Sequence, residues 1–197
     1  MPMRQLLARI ARGLLRIAER SAPPGADWQA RDREHVEVWR RRGVTVGQGC
    51  RIYARELPAE PWLIVIGNDV GIAGGVRLLT HDGMAYRMRA ERPQAQKFGV
   101  ITIGDHSFIG ENAILLPGTR LGAGVMIVPG AVVRGTVPDN SIVMGNPGRV
   151  VGRTSLFLRR AVRDPNVLDT FGLPEAERRA IVRAHFGLDP ADANGRA

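Results

Sequence analysis

The sequence has very little of several residue types that other protein classes need. One cysteine, Cys50, in 197 residues rules out an internal disulfide and favours a reducing compartment. No apolar run is long enough to span a bilayer, and no secretion-signal pattern is present. We therefore expect a cytoplasmic protein.

Lysine is almost absent as well. Lys97 is the only lysine, yet the formal net charge is +9, so arginine carries nearly all of the positive charge. Such a balance favours an anionic partner, which could be coenzyme phosphates, a phospholipid surface, an acidic glycan or nucleic acid. No zinc-finger spacing, RNP-like aromatic motif or basic heptad occurs, and we therefore predict no nucleic-acid partner.

Aliphatic residues recur at every sixth position in the middle of the chain, and the residue four places after each is small or β-branched. The same register extends back to Val46, which places Cys50 in an ordinary small position. The aliphatic positions are Ile103, Ile109, Leu115, Leu121, Ile127 and Val133. The small or β-branched positions are Ser107, Ala113, Thr119, Val125, Ala131 and Val137.

This six-residue period predicts a short strand followed by a turn. Three such units make a triangular coil of about 18 residues, and stacked coils bury a continuous aliphatic column. An amphipathic helix would instead repeat its apolar residues at intervals of three and four. The sequence therefore predicts a mainly β fold, a parallel β-helix.

The repeat also predicts the organisation of the chain. We expect an N-terminal helical cap over residues 1–42, the β-helix over 43–154 and a C-terminal helical tail over 155–197. Within the β-helix, residues 82–100 form a long arginine-rich interruption. Long loops inside a compact repeat array are commonly functional, and we expect this one to be an active-site loop.

Residues 3–20 place arginines around an apolar helix face, and two interpretations fit that pattern. The helix caps the open end of the coil stack, as a solenoid requires. Alternatively, it lies on an anionic membrane surface and holds the protein at the inner face of the membrane. We favour the cap because the segment is short and contains Gly13.

Several short motifs follow one another in a fixed order between residues 40 and 154. They are Gly43-Val-Thr-Val-Gly, Glu60-Pro61, Ile66-Gly-Asn-Asp, Thr80-His-Asp-Gly, Ile103-Gly-Asp and Gly145-Asn-Pro-Gly-Arg149. In these motifs the chain resembles the hexapeptide-repeat O-acetyltransferases, in the maltose and galactoside branch that includes capsular, O-antigen and colanic-acid acetyltransferases. The resemblance implies a left-handed coil and a homotrimer, with coenzyme A bound between coils of two subunits.

Transfer of an acyl group from a thioester to a hydroxyl needs a base that works near neutral pH, and histidine suits that task. His81 stands where the repeat stops and the long loop begins, and the resemblance implies that it is the catalytic base. Asp82 either orients the imidazole or forms an Asx-turn. Because Cys50 belongs to the interior register, no nucleophile is placed for a covalent intermediate, and we expect direct transfer.

The resemblance also implies contacts for acetyl-CoA as the co-substrate. Arg149 matches a basic residue that faces the nucleotide phosphate, with Arg153 close to it in sequence, and guanidinium groups suit phosphate oxygens. The alternative is that Arg149 and Arg134 are solvated surface charges. The further implied coenzyme contacts are Phe108, Gly110, Glu111, Pro129 and Arg134.

The expected acceptor is a hydroxyl of a sugar, a polysaccharide precursor or a lipid-linked glycan. Tyr53 aligns with an asparagine that contacts the sugar in maltose and galactoside enzymes, and the larger side chain reshapes that pocket. The loop residues either meet an acidic or phosphorylated acceptor or form a solvated loop. They are Tyr86, Arg87, Arg89 and Arg92.

Other functions stay open at this point. One is N-acetylation of an amino sugar or of an antibiotic, and another is a non-catalytic trimeric scaffold. The γ-class carbonic anhydrases share the expected fold and bind zinc through three histidines. His81 and His106 have no third histidine within the repeats, so we predict no metal.

Overall fold

The computed structural model describes residues 28–188, with side chains from residue 33 onward. The predicted helix over residues 3–20 lies outside the described residues. One compact unit spans residues 29–164, and residues 165–188 belong to another. None of the helices described is long and apolar enough to cross a membrane.

Most of the strands form three parallel sheets, which we call sheets I, II and III. Sheet I has the order β1-β3-β8-β11-β14 and consists of Thr45–Val46 (β1), Ile64–Ile66 (β3), Ile101–Ile103 (β8), Arg120–Leu121 (β11) and Thr136–Val137 (β14). Sheet II has the order β16-β15-β12-β9-β4-β2 and consists of Arg51–Ile52 (β2), Gly71–Ile72 (β4), Phe108–Ile109 (β9), Met126–Ile127 (β12), Ser141–Met144 (β15) and Arg149–Arg153 (β16). Sheet III has the order β13-β10-β5 and consists of Arg77–Leu78 (β5), Ile114–Leu115 (β10) and Val132–Val133 (β13).

The chain visits sheets I, II and III in turn, and each later coil stacks on the one before it. Ile103 pairs with Ile66 on one side and with Leu121 on the other, so successive aliphatic positions form a column. Within these three sheets, pairing is parallel except between β15 and β16, which are antiparallel. The prediction of a mainly β fold built from stacked coils, a β-helix, is confirmed.

The interior of the coils consists of the residues that the repeat predicts. Ile109 and Leu115 are completely buried, and Ile127 is 1% exposed. The small positions are closed as well, since Ala113, Thr119, Val125 and Ala131 are all at 0% exposure. Each large aliphatic side chain removed from water in this way stabilises the fold by about 1.5–3 kcal/mol before entropy is counted.

The repeat prediction is wrong at Val137. The pattern assigned it to a small position, but Val137 pairs with Leu121 and therefore takes the large aliphatic position of sheet I. The turn before it is shorter than the earlier turns, so the register moves by two residues. Gly135 has φ 75° in this turn, a left-handed conformation that lets the chain reverse within the shorter segment.

Stacked turns explain one of the glycines of the repeat. The backbone N–H of Asn68 donates to Asp105 Oδ1 at 2.7 Å, which ties the turns of two coils together. A Cβ on Gly67 would lie 2.1 Å from that same oxygen. The turn ladder therefore requires a residue without a side chain at Gly67.

The described part of the chain also contains three helices. They are Trp28–Arg41 (α1), Thr154–Ala161 (α2) and Glu175–His185 (α3). Trp39 of α1 is 3% exposed and joins the aliphatic core at the first coil. Arg40 donates from Nε and Nη2 to the carbonyl oxygen of Val46 at 3.1 and 3.0 Å. These contacts cover an edge of sheet I that would otherwise expose unpaired carbonyl groups.

The chain leaves the repeat twice, over residues 53–63 between β2 and β3 and again in the loop over residues 82–100, and both interruptions end at neighbouring strands of sheet I. The first leads into β3 through a 3₁₀ helix at Pro61–Leu63, and the second leads into β8. The second contains its own antiparallel ladder, formed by His81–Asp82 (β6) and Lys97–Phe98 (β7), and a 3₁₀ helix at Gly83–Met88. The two interruptions therefore meet, and their polar side chains form the candidate site.

Candidate active site

His81 is held by a carboxylate from the other interruption. Its Nδ1 lies 2.9 Å from Glu60 Oε2. The imidazole side chain is 52% exposed, whereas the carboxylate is 16% exposed. The His81 imidazole therefore faces solvent, whereas the Glu60 carboxylate that holds it is largely enclosed by the fold.

Thr80 fixes the carboxylate in turn. Its buried hydroxyl donates to the same Glu60 oxygen at 2.7 Å. This hydrogen bond, followed by the one from His81, lowers the pKa of Glu60 below its ordinary value. Glu60 is consequently a carboxylate at neutral pH, and it can only accept the Nδ1 proton.

The consequence for His81 is a defined tautomer. With the proton on Nδ1 directed at Glu60, the lone pair of neutral imidazole is on Nε2. An exposed Nε2 held in this way can take a proton from a bound hydroxyl or amine. The arrangement of Thr80, Glu60 and His81 can therefore carry out general-base chemistry.

Asp82 forms the Asx-turn and does not contact the imidazole. Its Oδ1 accepts from the backbone N–H of Met84 at 2.9 Å and caps the 3₁₀ helix. Its Oδ2 lies 3.5 Å from Lys97 Nζ, across the β6–β7 ladder. The backbone hydrogen bond from Met84 is the main reason that the pKa of Asp82 is lowered.

Glu60 is the residue that the sequence analysis missed as a functional group. The Glu60-Pro61 motif was identified, and no role was given to its carboxylate. The signal was its place in an interruption of the repeat, but nothing in a single sequence says which loop residue reaches His81. A contact across 21 positions is a property of the stacked coils.

Four of the predicted coenzyme contacts lie together on sheet II and the turns that follow it. Phe108 is 45% exposed, and a Cβ on Gly71 would lie 2.9 Å from its ring. Gly110 stacks so closely on Pro129 that an added Cβ would lie 2.6 Å from the Pro129 nitrogen. Glu111 follows in the same turn, and its carbonyl oxygen accepts from Gly130.

The predicted phosphate-binding arginines fall in two places. Arg149 opens β16 and pairs with Met144 at the edge of sheet II, and Arg153 ends the same strand opposite Ser141. Both side chains are exposed. Arg134 follows β13 of sheet III and is near enough to Asp82 to lower the pKa of that carboxyl. Arg134 therefore belongs to the His81 side of the molecule.

The candidate acceptor residues lie on separate elements. Tyr53 follows β2 of sheet II and is 46% exposed. Tyr86 and Arg87 lie on the 3₁₀ helix of the loop, and the Arg89 guanidinium lies 6.0 Å from the centre of the Tyr86 ring.

His106 lies in the turn between β8 and β9. It has φ 58° and its Nδ1 lies 3.5 Å from Asp69 Oδ2, with both side chains exposed. Among the side chains that the structure describes, no three His, Cys, Asp or Glu residues group as a set of metal ligands.

The site and the coils can now be set beside known proteins. Residues 101–135 match the model of the bacterial transferase hexapeptide family, which describes six repeats. Over 115 residues the chain is 43% identical to Protein CapG of Staphylococcus aureus, a match that covers 57% of this chain and 67% of CapG. This chain belongs to the hexapeptide-repeat transferases.

Two other proteins are similar to this chain over shorter stretches. A putative lipopolysaccharide biosynthesis O-acetyl transferase, WbbJ of Escherichia coli, is 30% identical over 96 residues, which cover 45% of this chain and 49% of WbbJ. The putative acetyltransferase YvoF of Bacillus subtilis is 32% identical over 91 residues, 46% of this chain and 48% of YvoF. The chain thus spans about half the length of these two relatives. Their names confirm the prediction of an acyltransferase.

A maltose O-acetyltransferase from Clostridium difficile aligns with a TM-score of 0.47 and 20% identity, over 74% of this chain and 84% of that one.

Proposed function

We propose that this hexapeptide-repeat transferase moves an acetyl group from acetyl-CoA to a hydroxyl of a sugar or polysaccharide precursor. The observation that carries the proposal is the Glu60–His81 pair, which leaves the Nε2 lone pair exposed beside a long loop. The lipopolysaccharide biosynthesis in the name of WbbJ supports a saccharide acceptor.

In the proposed reaction, His81 Nε2 removes the proton of the acceptor hydroxyl as its oxygen attacks the thioester carbonyl. The C–S bond then breaks, and the imidazolium returns its proton to the departing thiolate. The products are an O-acetyl ester and coenzyme A with a free thiol. Glu60 stays ionised throughout and stabilises the imidazolium that forms in between.

The positions of the coenzyme residues support a shared site. Phe108, Gly110 and Pro129 lie on and after sheet II, whereas His81 follows sheet III. Within one chain these groups are on different sides of the coil. We therefore propose a homotrimer of left-handed coils, in which sheet II of one subunit brings acetyl-CoA to His81 of the next.

Arg149 and Arg153 are the proposed partners of the coenzyme phosphates. They stand on the last strand of sheet II, in line with the proposed coenzyme residues on and after β9 and after β12. Arg149→Ala should weaken the binding of coenzyme A much more than that of dephospho-coenzyme A. Equal losses for the two ligands would remove the phosphate role.

The test of the proposed base compares two histidines of the same chain. His81→Ala should reduce acetyl transfer to nitrophenyl glycosides by about 10²-fold or more, as measured by thiol release from acetyl-CoA. The control is His106→Asn, because asparagine tolerates the left-handed φ of that turn. Full activity in His81→Ala would refute the assignment.

The same assay distinguishes the rival reaction. Relatives named as tetrahydropyridine-dicarboxylate N-acetyltransferases from Staphylococcus aureus are 38% identical over 55 residues, 28% of this chain and 23% of theirs. Glucosamine and glucose, offered side by side, test whether nitrogen or oxygen is acetylated. Transfer to the amine alone would replace O-acetylation by N-acetylation and leave the role of His81 unchanged.

A further inference from the structure

An open depression lies in the active-site loop, on the segment that returns from the 3₁₀ helix to β7. Its volume is about 600 Å³. The residues that line it are Arg92, Pro93, Gln94, Ala95, Gln96 and Phe98. None of the residues discussed so far for catalysis or for coenzyme binding is among them.

Phe98 fixes the position of this depression relative to the base. Phe98 is the partner of His81 in the β6–β7 ladder, and the N–H of Gly99 donates to the Thr80 carbonyl at 2.8 Å. That hydrogen bond makes His81 and Phe98 a non-hydrogen-bonded pair, the kind in which facing side chains are closest. Their Cβ atoms are therefore about 4.5–5.5 Å apart on one face of the ladder.

The depression consequently begins one side chain away from the imidazole. Phe98 is 48% exposed and offers an apolar face on the side where the base stands. Gln94 and Gln96 carry amides that can both donate and accept hydrogen bonds. An apolar ring face flanked by amides suits a sugar, which has apolar C–H faces and a rim of hydroxyls.

Arg92 adds a positive charge to the depression. Lys97 of the same loop is paired with Asp82, and Arg89 covers Tyr86. By contrast, no carboxylate in the described part of the chain is within ion-pair distance of the Arg92 guanidinium. A free guanidinium at the end of a polar depression favours a carboxylate or a phosphate, which it can bind with two parallel hydrogen bonds.

We propose that this depression is the acceptor subsite and that it selects an anionic sugar, either a uronate or a sugar phosphate. The proposal rests on the proposed function, since it takes His81 to be the base. Phe98 packs against the sugar ring, Gln94 and Gln96 bind hydroxyls, and Arg92 binds the acid group.

The experiment measures binding of sugars to the full chain by isothermal titration or saturation-transfer NMR, without acetyl-CoA. Methyl β-D-glucuronide should bind at least tenfold more tightly than methyl β-D-glucoside, which differs from it at one carbon. Glucose 1-phosphate serves as the phosphate arm, and its affinity relative to the glucuronide tells which anion is preferred. Arg92→Gln should abolish the preference for the charged sugars, while Arg159→Gln, an exposed arginine of α2, should retain it.

Each result decides one of the two proposals. Equal binding of the glucuronide, the phosphate and the glucoside, no binding of any of them at millimolar concentration, or a preference that survives Arg92→Gln would overturn the subsite. If the preference depends on Arg92 and the bound sugars are never acetylated, the binding site for anionic sugars stands, but its role as an acceptor subsite and the O-acetyltransferase proposal both fail. Arg92 is exposed, so unchanged thermal melting of Arg92→Gln shows that a loss of binding is not a loss of folding.

Discussion

The hydrogen bonds around Glu60 allow its charge to be separated from its geometry. Thr80 and His81 both donate to the same atom, Oε2. In Glu60→Gln the amide oxygen can take that position and keep both hydrogen bonds, so the His81 tautomer is retained and the negative charge is lost. In Glu60→Ala both hydrogen bonds are lost.

The size of each effect follows from these contacts. Hydrogen bonds to a charged group contribute about 1.5–3 kcal/mol and neutral ones about 0.5–1.5 kcal/mol, so losing the charge costs about 1–1.5 kcal/mol. If the imidazolium of the transition state is destabilised by that free energy, kcat falls about tenfold in Glu60→Gln. Glu60→Ala also leaves the ring unoriented, and we expect a loss of about 10²-fold or more.

Stability gives an independent measure of the same network. The Thr80 hydroxyl is fully buried, and in Glu60→Ala it has no acceptor, at a cost of about 1–3 kcal/mol. Because the folded state lowers the pKa of Glu60, its ionisation contributes stability above the ordinary glutamate value of 4.5. That contribution is lost as pH falls through the lower folded pKa, so wild type and Glu60→Gln should converge in melting temperature on acidification.

The assays are steady-state kinetics by thiol release and thermal unfolding between pH 3 and pH 8, a range of about five units chosen to span the titration of carboxyl groups. Wild-type kcat in Glu60→Ala would refute a role for the carboxylate. If Glu60→Gln is as inactive as His81→Ala while its melting temperature is unchanged, the charge contributes far more to catalysis than these hydrogen bonds predict.

Two further predictions concern the coils. Ile127→Ala removes a side chain of the aliphatic column that is 1% exposed, and it should lower the free energy of unfolding in urea by about 2–5 kcal/mol. The control is Thr136→Ala on the outer face of sheet I, which should change that free energy by less than about 0.5 kcal/mol. Gly71→Ala would place a Cβ 2.9 Å from the Phe108 ring and should push that ring outward, raising KM for acetyl-CoA with little change in melting temperature. An unchanged KM in Gly71→Ala would argue against Phe108 as a coenzyme contact.

The sequence by itself determined the coil. Each six-residue unit has a large aliphatic residue and a small one at fixed positions, and both can be buried only if the unit is a strand followed by a turn. The residues that the pattern predicts to be buried are buried in the structure. The sequence also predicted that His81 stands where the repeat breaks, because a histidine at such a point is at the rim of the array. The left-handed turn at His106 belongs to the same group, since its place in the repeat fixes its backbone.

The tertiary structure determined the register shift and the loop contacts that the six-residue period does not specify. Val137 took the large position because a shortened turn moved the register, and only strand pairing reveals such a shift. Glu60 reached His81 because two interruptions of different length end at neighbouring strands, and loop residues have no period from which a contact could be read. Phe98 stands beside the base because the loop folds back as an antiparallel ladder, whose register depends on the turn that closes it.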